Sequence, residues 1–220
     1  MSATTLAALL LIAVPLAFNG AFALLAARFD YPDVLRRPTS EVLARFRNGG
    51  TSLILLWWGF ALTAVAMVPL VVLLSSALGD ADATLLSLAT WVGVIAAVVQ
   101  FLGLMRWPFL VPYLAQADAD EQMVDLVFQA FHRYLGAAVG EHLGYLFTGA
   151  WTTLAGVALV QSSAAPAWLG AVGIVIGPVL ASCSLEFVGR GWKSAERLTP
   201  VAYIAWSLWL VATGVALLAA

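Results

Sequence analysis

Glu141 and His142 stand side by side in GEHLGYLFTGAW (140–151), in a stretch where most other residues are Ala, Leu, Val or Gly. A carboxyl group can exchange a proton, pair with a cation or accept hydrogen bonds from a bound molecule. In hydrocarbon an ionised one costs about 2.5–3.5 kcal/mol on insertion scales, so it faces protein or water and has a partner. At about 100° per residue, Glu141, Tyr145, Thr148 and Thr152 share one helical stripe. Beside it, Gly136, Gly140 and Gly144 form a ridge of small residues that lets another backbone come close. Glu141 is therefore expected against neighbouring helices and not against lipid.

Partners at similar depth are Arg106, Gln100, Ser182, Ser184 and Glu186. Arg106 with Glu141 is the expected pair, Tyr145 and Gln100 adding hydrogen bonds. The candidate ligand-binding set is Glu141, Arg106, Tyr145, His142, Gln100 and Glu186. It makes either a polar pocket that holds a ligand or moves a proton, or an ion pair that fixes helix register.

Other chemistry is thinly supported. His132 lies about 15 Å along the helix axis from His142, so the two cannot hold one haem between them. Two histidines cannot make a three-His zinc site. No metal and no cofactor is expected, a haem held by a single His being the alternative. His142 is also readable as a hydrogen-bonded packing group. Cys183 is the single cysteine and has no activating base beside it. G-x-S-x-G, H-E-x-x-H and phosphate-binding glycine loops are absent. An enzyme would have to use Glu141 with Glu186 or His142, and no residue is singled out as catalytic.

The elements that must position these groups follow from composition. The 220 residues are 63% hydrophobic and 10% charged, against about 25% charged in soluble domains. The net charge of −2 argues against nucleic acid as a partner. Charge-free runs mark six spans at about 4–27, 51–78, 84–105, 134–160, 167–189 and 201–220, each near the ~20 residues that cross hydrocarbon. Residues 1–28 read as a retained first span, because MSATT lacks a basic n-region. The second run exceeds the ~30 Å slab and should tilt or bend, with Pro69 as the expected place.

Arg28, Arg36, Arg37, Arg45, Arg47, Arg106, Arg133, Arg190, Lys193 and Arg197 are all of the basic residues, and all fall on one side of this threading. Positive-inside logic makes that side cytoplasmic and puts both termini outside. Two connections there read as short helices. One, expected to lie on the membrane surface, starts at Pro38, Thr39 and Ser40, stops at Gly49-Gly50 and has Val42, Leu43 and Phe46 on its apolar side. The other carries Met123, Val127, Ala130, Phe131 and Tyr134 at helical spacing and runs into the fourth span. Asn19 can serve the backbone near Pro15. A 3+3 inverted repeat is allowed by the threading, but no motif recurs between the halves.

FDYPDVLRRP (29–38), RWPFLVPYLA (106–115) and GEHLGYLFTGAW (140–151) together resemble a bacterial membrane-protein family catalogued as domain of unknown function 4386. The resemblance implies a six-helix integral membrane protein and no particular activity. It places Arg106, Trp107, Pro112, Glu141 and His142 in recognisable motifs.

The expectation is an all-α protein: one membrane domain over 1–220, a six-transmembrane-helix bundle with two short cytoplasmic helical segments, in the bacterial cytoplasmic membrane. Its partners are the bilayer, a small or lipophilic ligand beside Glu141, and a second copy or another membrane protein through Gly136, Gly140 and Gly144. The functional expectation is a sensor, carrier or accessory subunit. A membrane enzyme and a structural docking protein are the alternatives.

Overall fold

A computed structural model describes residues 1–188, 192 and 197–219. Among them it contains helices and turns but no strand, and six helical stretches are long and apolar enough to cross a membrane. The chain is a polytopic, all-α membrane protein. Arg190, Lys193, the expected end of the fifth span at 189 and residue 220 lie outside the described residues.

Helix α1 spans Ala3–Phe29, its first turn capped by Ser2, whose hydroxyl accepts from the Thr5 amide. Pro15 sits inside it, and one turn on Asn19 Nδ2 donates to the Pro15 carbonyl at 2.7 Å, which is the service the sequence suggests for Asn19. A loop with a short 3₁₀ turn at Asp33–Arg36 leads to α2, Thr39–Ala77.

The start of α2 is the expected short helix, but Val42, Leu43 and Phe46, the side expected against the membrane surface, are buried inside the protein. It ends at Gly50, whose φ of 54° and ψ of −153° break the helix. An L side chain is strained there, so the bend is written into Gly49-Gly50. Helical dihedrals then continue through Pro69. The break therefore lies at Gly50, just before the 51–78 run, and not at Pro69 where a bend was expected.

Helix α3 spans Ala83–Gln116 and runs well past the expected end at 105, through Arg106, Pro108 and Pro112. Arg106 is buried by neighbouring helices. Helix α4, Glu121–Phe131, starts on the Asp120 cap and does run on into the fourth span, α5, Gly144–Gln161. Its inward face differs from the one expected. Phe128 points into the protein, while Met123, Phe131 and Tyr134 are exposed. Burial follows contact with Trp107, whose ring centre lies 6.5 Å from that of Phe128. Helix α6, Ala167–Cys183, ends in a 3₁₀ turn at Ser184–Phe187, and α7 spans Thr199–Ala219.

Between α4 and α5, His132–Leu143 is a π-helix. Such i→i+5 segments are rare, and are found mostly as single turns at functional sites. Here twelve residues adopt it. The 100° period that places Glu141 and Tyr145 on one stripe does not hold across it.

Two apolar clusters hold the bundle. At the basic end Phe29, Phe46, Trp57 and Trp107 interlock, the two indoles stacked 4.3 Å apart. Towards the other end Trp151, Trp206 and Trp209 pack with Leu70, Leu74 and Leu159. Trp206 Nε1 donates to Thr152 Oγ1 at 2.9 Å, which turns the lower part of the Thr148–Thr152 stripe into the bundle.

At the end without basic residues, Asp80 ties the two loops together. It accepts from Ser162 Oγ at 2.5 Å, from the Ser163 amide at 2.8 Å and from Ser163 Oγ at 2.7 Å. These donors hold its carboxyl well below the usual range. A depressed folded value means the stabilisation is full above the unfolded pKa of about 3.9 and fades as pH falls through the folded one. Asp80→Asn is expected to lower the thermal midpoint at pH 7 in detergent. The gap from the parent should shrink as pH falls below about 4, where the carboxyl of the unfolded chain takes up a proton that the folded one does not yet bind.

Candidate functional site

Helices α1 and α7 pack together on one side of the bundle, and α3 packs against the π-helix. Between these walls lies a cavity of about 430 Å³. Its polar groups include Gln100 and Arg106 from α3, Glu141 from the π-helix, Tyr145 from α5 and Glu186 from the turn after α6. Five of the six candidate residues thus share one space. His142 does not line it; its Nδ1 lies 3.0 Å from the Ser184 carbonyl, joining the π-helix to the 3₁₀ turn.

The glycine ridge explains how the charged wall is built. A Cβ on Gly103 would fall onto the Cα of Gly140, so these two backbones touch. A Cβ on Gly136 would stand 2.6 Å from Arg106 Cζ, and one on Gly144 would stand 2.7 Å from Gln100 Cγ. The ridge therefore receives α3 of its own chain. A second chain docking on Gly136, Gly140 and Gly144 would have to displace that helix.

The expected Arg106–Glu141 ion pair is not formed: among the described residues no ion pair within 4.0 Å involves either. Arg106 folds back on its own helix, Nη1 donating to the Gly103 carbonyl, and Nη2 lies 3.5 Å from His132 Nδ1. Its guanidinium carbon sits 5.2 Å from the centre of the Trp107 ring, within cation–π range. The space left by Gly136 draws the guanidinium towards backbone and away from the carboxyl. Gln100 likewise donates to Thr148 Oγ1 at 2.9 Å and not to Glu141. Among the described residues, the Glu141 carboxyl forms neither a hydrogen bond nor an ion pair.

Several lining residues were not in the candidate set. Tyr31, Pro32, Leu35 and Arg36 of the loop between α1 and α2 close the basic end as a lid. Tyr31 packs edge-on to Trp57, ring centres 5.0 Å apart. Burial pushes its phenol well above the ordinary value, and the Glu141 carboxylate adds to this while Arg106 partly offsets it. The lid is tied down by Arg37, which pairs with Asp30 and, at 2.6 Å, with Glu41.

From α1 and α7 come Phe18, Asn19, Phe22, Tyr203 and Ile204, with Asn19 Nδ2 also donating to Ser207 Oγ at 3.0 Å. An amide in an apolar span was the available signal for Asn19; nothing local marks Tyr31 or Tyr203. Of the tryptophans, Trp151, Trp206 and Trp209 are in the packed core and Trp91 is exposed, so none of these four lines the cavity. Among the described residues no three His, Cys, Asp or Glu side chains cluster as metal ligands would.

The model of the family described as domain of unknown function DUF4386 matches residues 6–214. The chain belongs to this family. In this DUF4386 protein the match takes in every cavity residue, from Phe18 to Ile204. No curated protein and no solved structure matches the chain.

Proposed function

We propose that the DUF4386 cavity binds or passes on a small or lipophilic ligand at Glu141, the protein acting as a sensor, carrier or accessory subunit. One observation carries this: Glu141 faces a cavity of about 430 Å³ with no side-chain partner among the described residues, while Arg106, Gln100 and Tyr145 line the same space. Pockets for small molecules occupy roughly 300–1,000 Å³ and combine an apolar lining with a few placed polar groups. A carboxyl kept only to fix helix register would touch its cation. Here a bound molecule would supply the missing partner. The setting we propose is the bacterial cytoplasmic membrane, with the basic end and lid in the cytoplasm and both termini outside.

The test is a thermal-shift screen of amphiphiles and small polar molecules on the purified protein. A ligand at one hundred times its Kd stabilises by about 2.7 kcal/mol. In Glu141→Gln that stabilisation is expected to vanish at the same concentration, with the unliganded midpoint kept. An undiminished shift would remove Glu141 from the site. A variant that fails to fold without ligand would instead favour the register role.

A second reading is supported by Glu141 and Glu186 lining one cavity: paired carboxyls acting as general acid and base on a bound molecule. Turnover of a bound ester, abolished by Glu141→Gln and by Glu186→Gln alike, would favour it.

A further inference from the structure

The walls and mouth of the cavity point to a ligand class, on the premise that the pocket reading above holds. Among the lining residues, Asn19, Pro32, Arg36, Pro200 and Ile204 are exposed. Asn19 belongs to α1, Pro200 and Ile204 to α7, and Pro32 and Arg36 to the lid. The mouth is therefore a slit along the α1–α7 seam, reaching from the lid into the span. Ile204 is 56% exposed and shares an outward stripe with Val201 and Leu208, exposed by 62% and 65%. A stripe of this kind on a spanning helix faces acyl chains, so the slit opens sideways to lipid.

The charges are balanced and separated. Arg106 and Glu141 line the cavity as one cation and one carboxyl that do not pair with each other, Arg36 being engaged by Asp33 at 3.4 Å, so an electrically neutral headgroup fits better than a strongly charged one. Arg106 is fixed, and its contacts with Gly103 and His132 use two of the five donors of a guanidinium. Its planar fork suits phosphate. Glu141, without a donor of its own, suits an ammonium. A space of about 430 Å³ holds a headgroup but not acyl chains that cross half of the ~30 Å hydrocarbon core. Chains would have to leave through the slit.

We propose that the ligand is a zwitterionic membrane amphiphile that enters between α1 and α7, its phosphate on Arg106, its ammonium on Glu141 and its chains passing Asn19 and Ile204.

The full chain in nanodiscs of equimolar phosphatidylethanolamine and phosphatidylglycerol, extracted and read by native mass spectrometry, should retain phosphatidylethanolamine about tenfold over its partner lipid. Ile204→Trp, which fills the slit from a lipid-facing position, should cut that retention about tenfold, while Leu208→Trp, one turn on and outside the cavity, should not. In detergent, glycerophosphoethanolamine should give a thermal shift with the parent and with Ile204→Trp, but not with Glu141→Gln.

Headgroup binding without lipid retention, or full retention by Ile204→Trp, overturns sideways entry and leaves the pocket standing. Equal retention of phosphatidylglycerol, or an equal shift from inorganic phosphate alone, overturns the zwitterionic headgroup. If neither lipid nor glycerophosphoethanolamine binds while the screen yields another Glu141-dependent ligand, the amphiphile alone falls. If that screen is empty as well, the pocket falls with it.

Discussion

Gly103→Leu is expected to yield no stably folded protein. The Cβ of any side chain at 103 would land on the Gly140 backbone, and its next contact is the Leu135 carbonyl oxygen at 3.1 Å. A flexible side chain can move aside at modest cost, but backbone cannot. Overpacking a core typically costs 1–3 kcal/mol; against backbone on both sides, at least about 3 kcal/mol is expected. The α3–π-helix contact also positions Arg106 against Gly136 and Gln100 against Gly144, so the charged wall of the cavity goes with it. Size-exclusion profiles and thermal unfolding in detergent measure the loss. Gly59→Ala, where a Cβ meets nothing within 4 Å, is the control and should change little. A Gly103→Leu protein with a native profile would show that α3 and the π-helix do not meet at these glycines.

Trp107→Ala should be the next most damaging change, at about 3–5 kcal/mol, the usual range for removing a buried Trp or Phe side chain. Trp107 is 0% exposed and stacks on Trp57, with Phe29, Phe46 and Phe128 around it. The indole N–H of each stacked tryptophan is buried without a hydrogen-bond partner among the described residues. Removing one of these offsets part of the loss, since an unsatisfied buried donor costs roughly 1–3 kcal/mol. The cluster joins α1, the start of α2, α3 and α4. Its removal should therefore loosen the lid, read as faster trypsin cleavage after Arg36 as well as a lower thermal midpoint. Trp107→Phe should recover most of both. Trp91→Ala, at a position 67% exposed, should cost almost nothing. Equal effects at Trp91 and Trp107 would contradict this placement of the aromatic core.

Which of these features could be read from the chain depends on the range of the forces involved. Hydrocarbon excludes charge residue by residue, so runs without charge mark six spans, and the observed helices follow them, except that the fifth, expected to reach 189, leaves the α-helix after Cys183 for a 3₁₀ turn. Backbone preference is also local. Gly49-Gly50 ends the short helix as expected because φ of 54° at Gly50 is a property of that one residue. The enclosure of Glu141 follows from the same solvent argument, since a carboxyl in lipid is costly wherever the helix turns.

Pairing is not local. Whether Arg106 meets Glu141 depends on how the guanidinium is spent once α3 and the π-helix are in contact, and the gap at Gly136 and the Gly103 carbonyl decide that. The π-helix removed the fixed rotation on which any stripe through 132–143 must rest. The glycine ridge announced a close approach, but not that α3 of the same chain would make it. Tyr31 and Tyr203 joined the cavity because a loop and the last helix fold over it from far along the sequence. The chain by itself determined the spans, the uneven distribution of its arginines and the need to shield one carboxyl, because solvent transfer acts on each residue alone. Only the tertiary structure decided what surrounds that carboxyl, because contacts between distant helices depend on how their backbones fit.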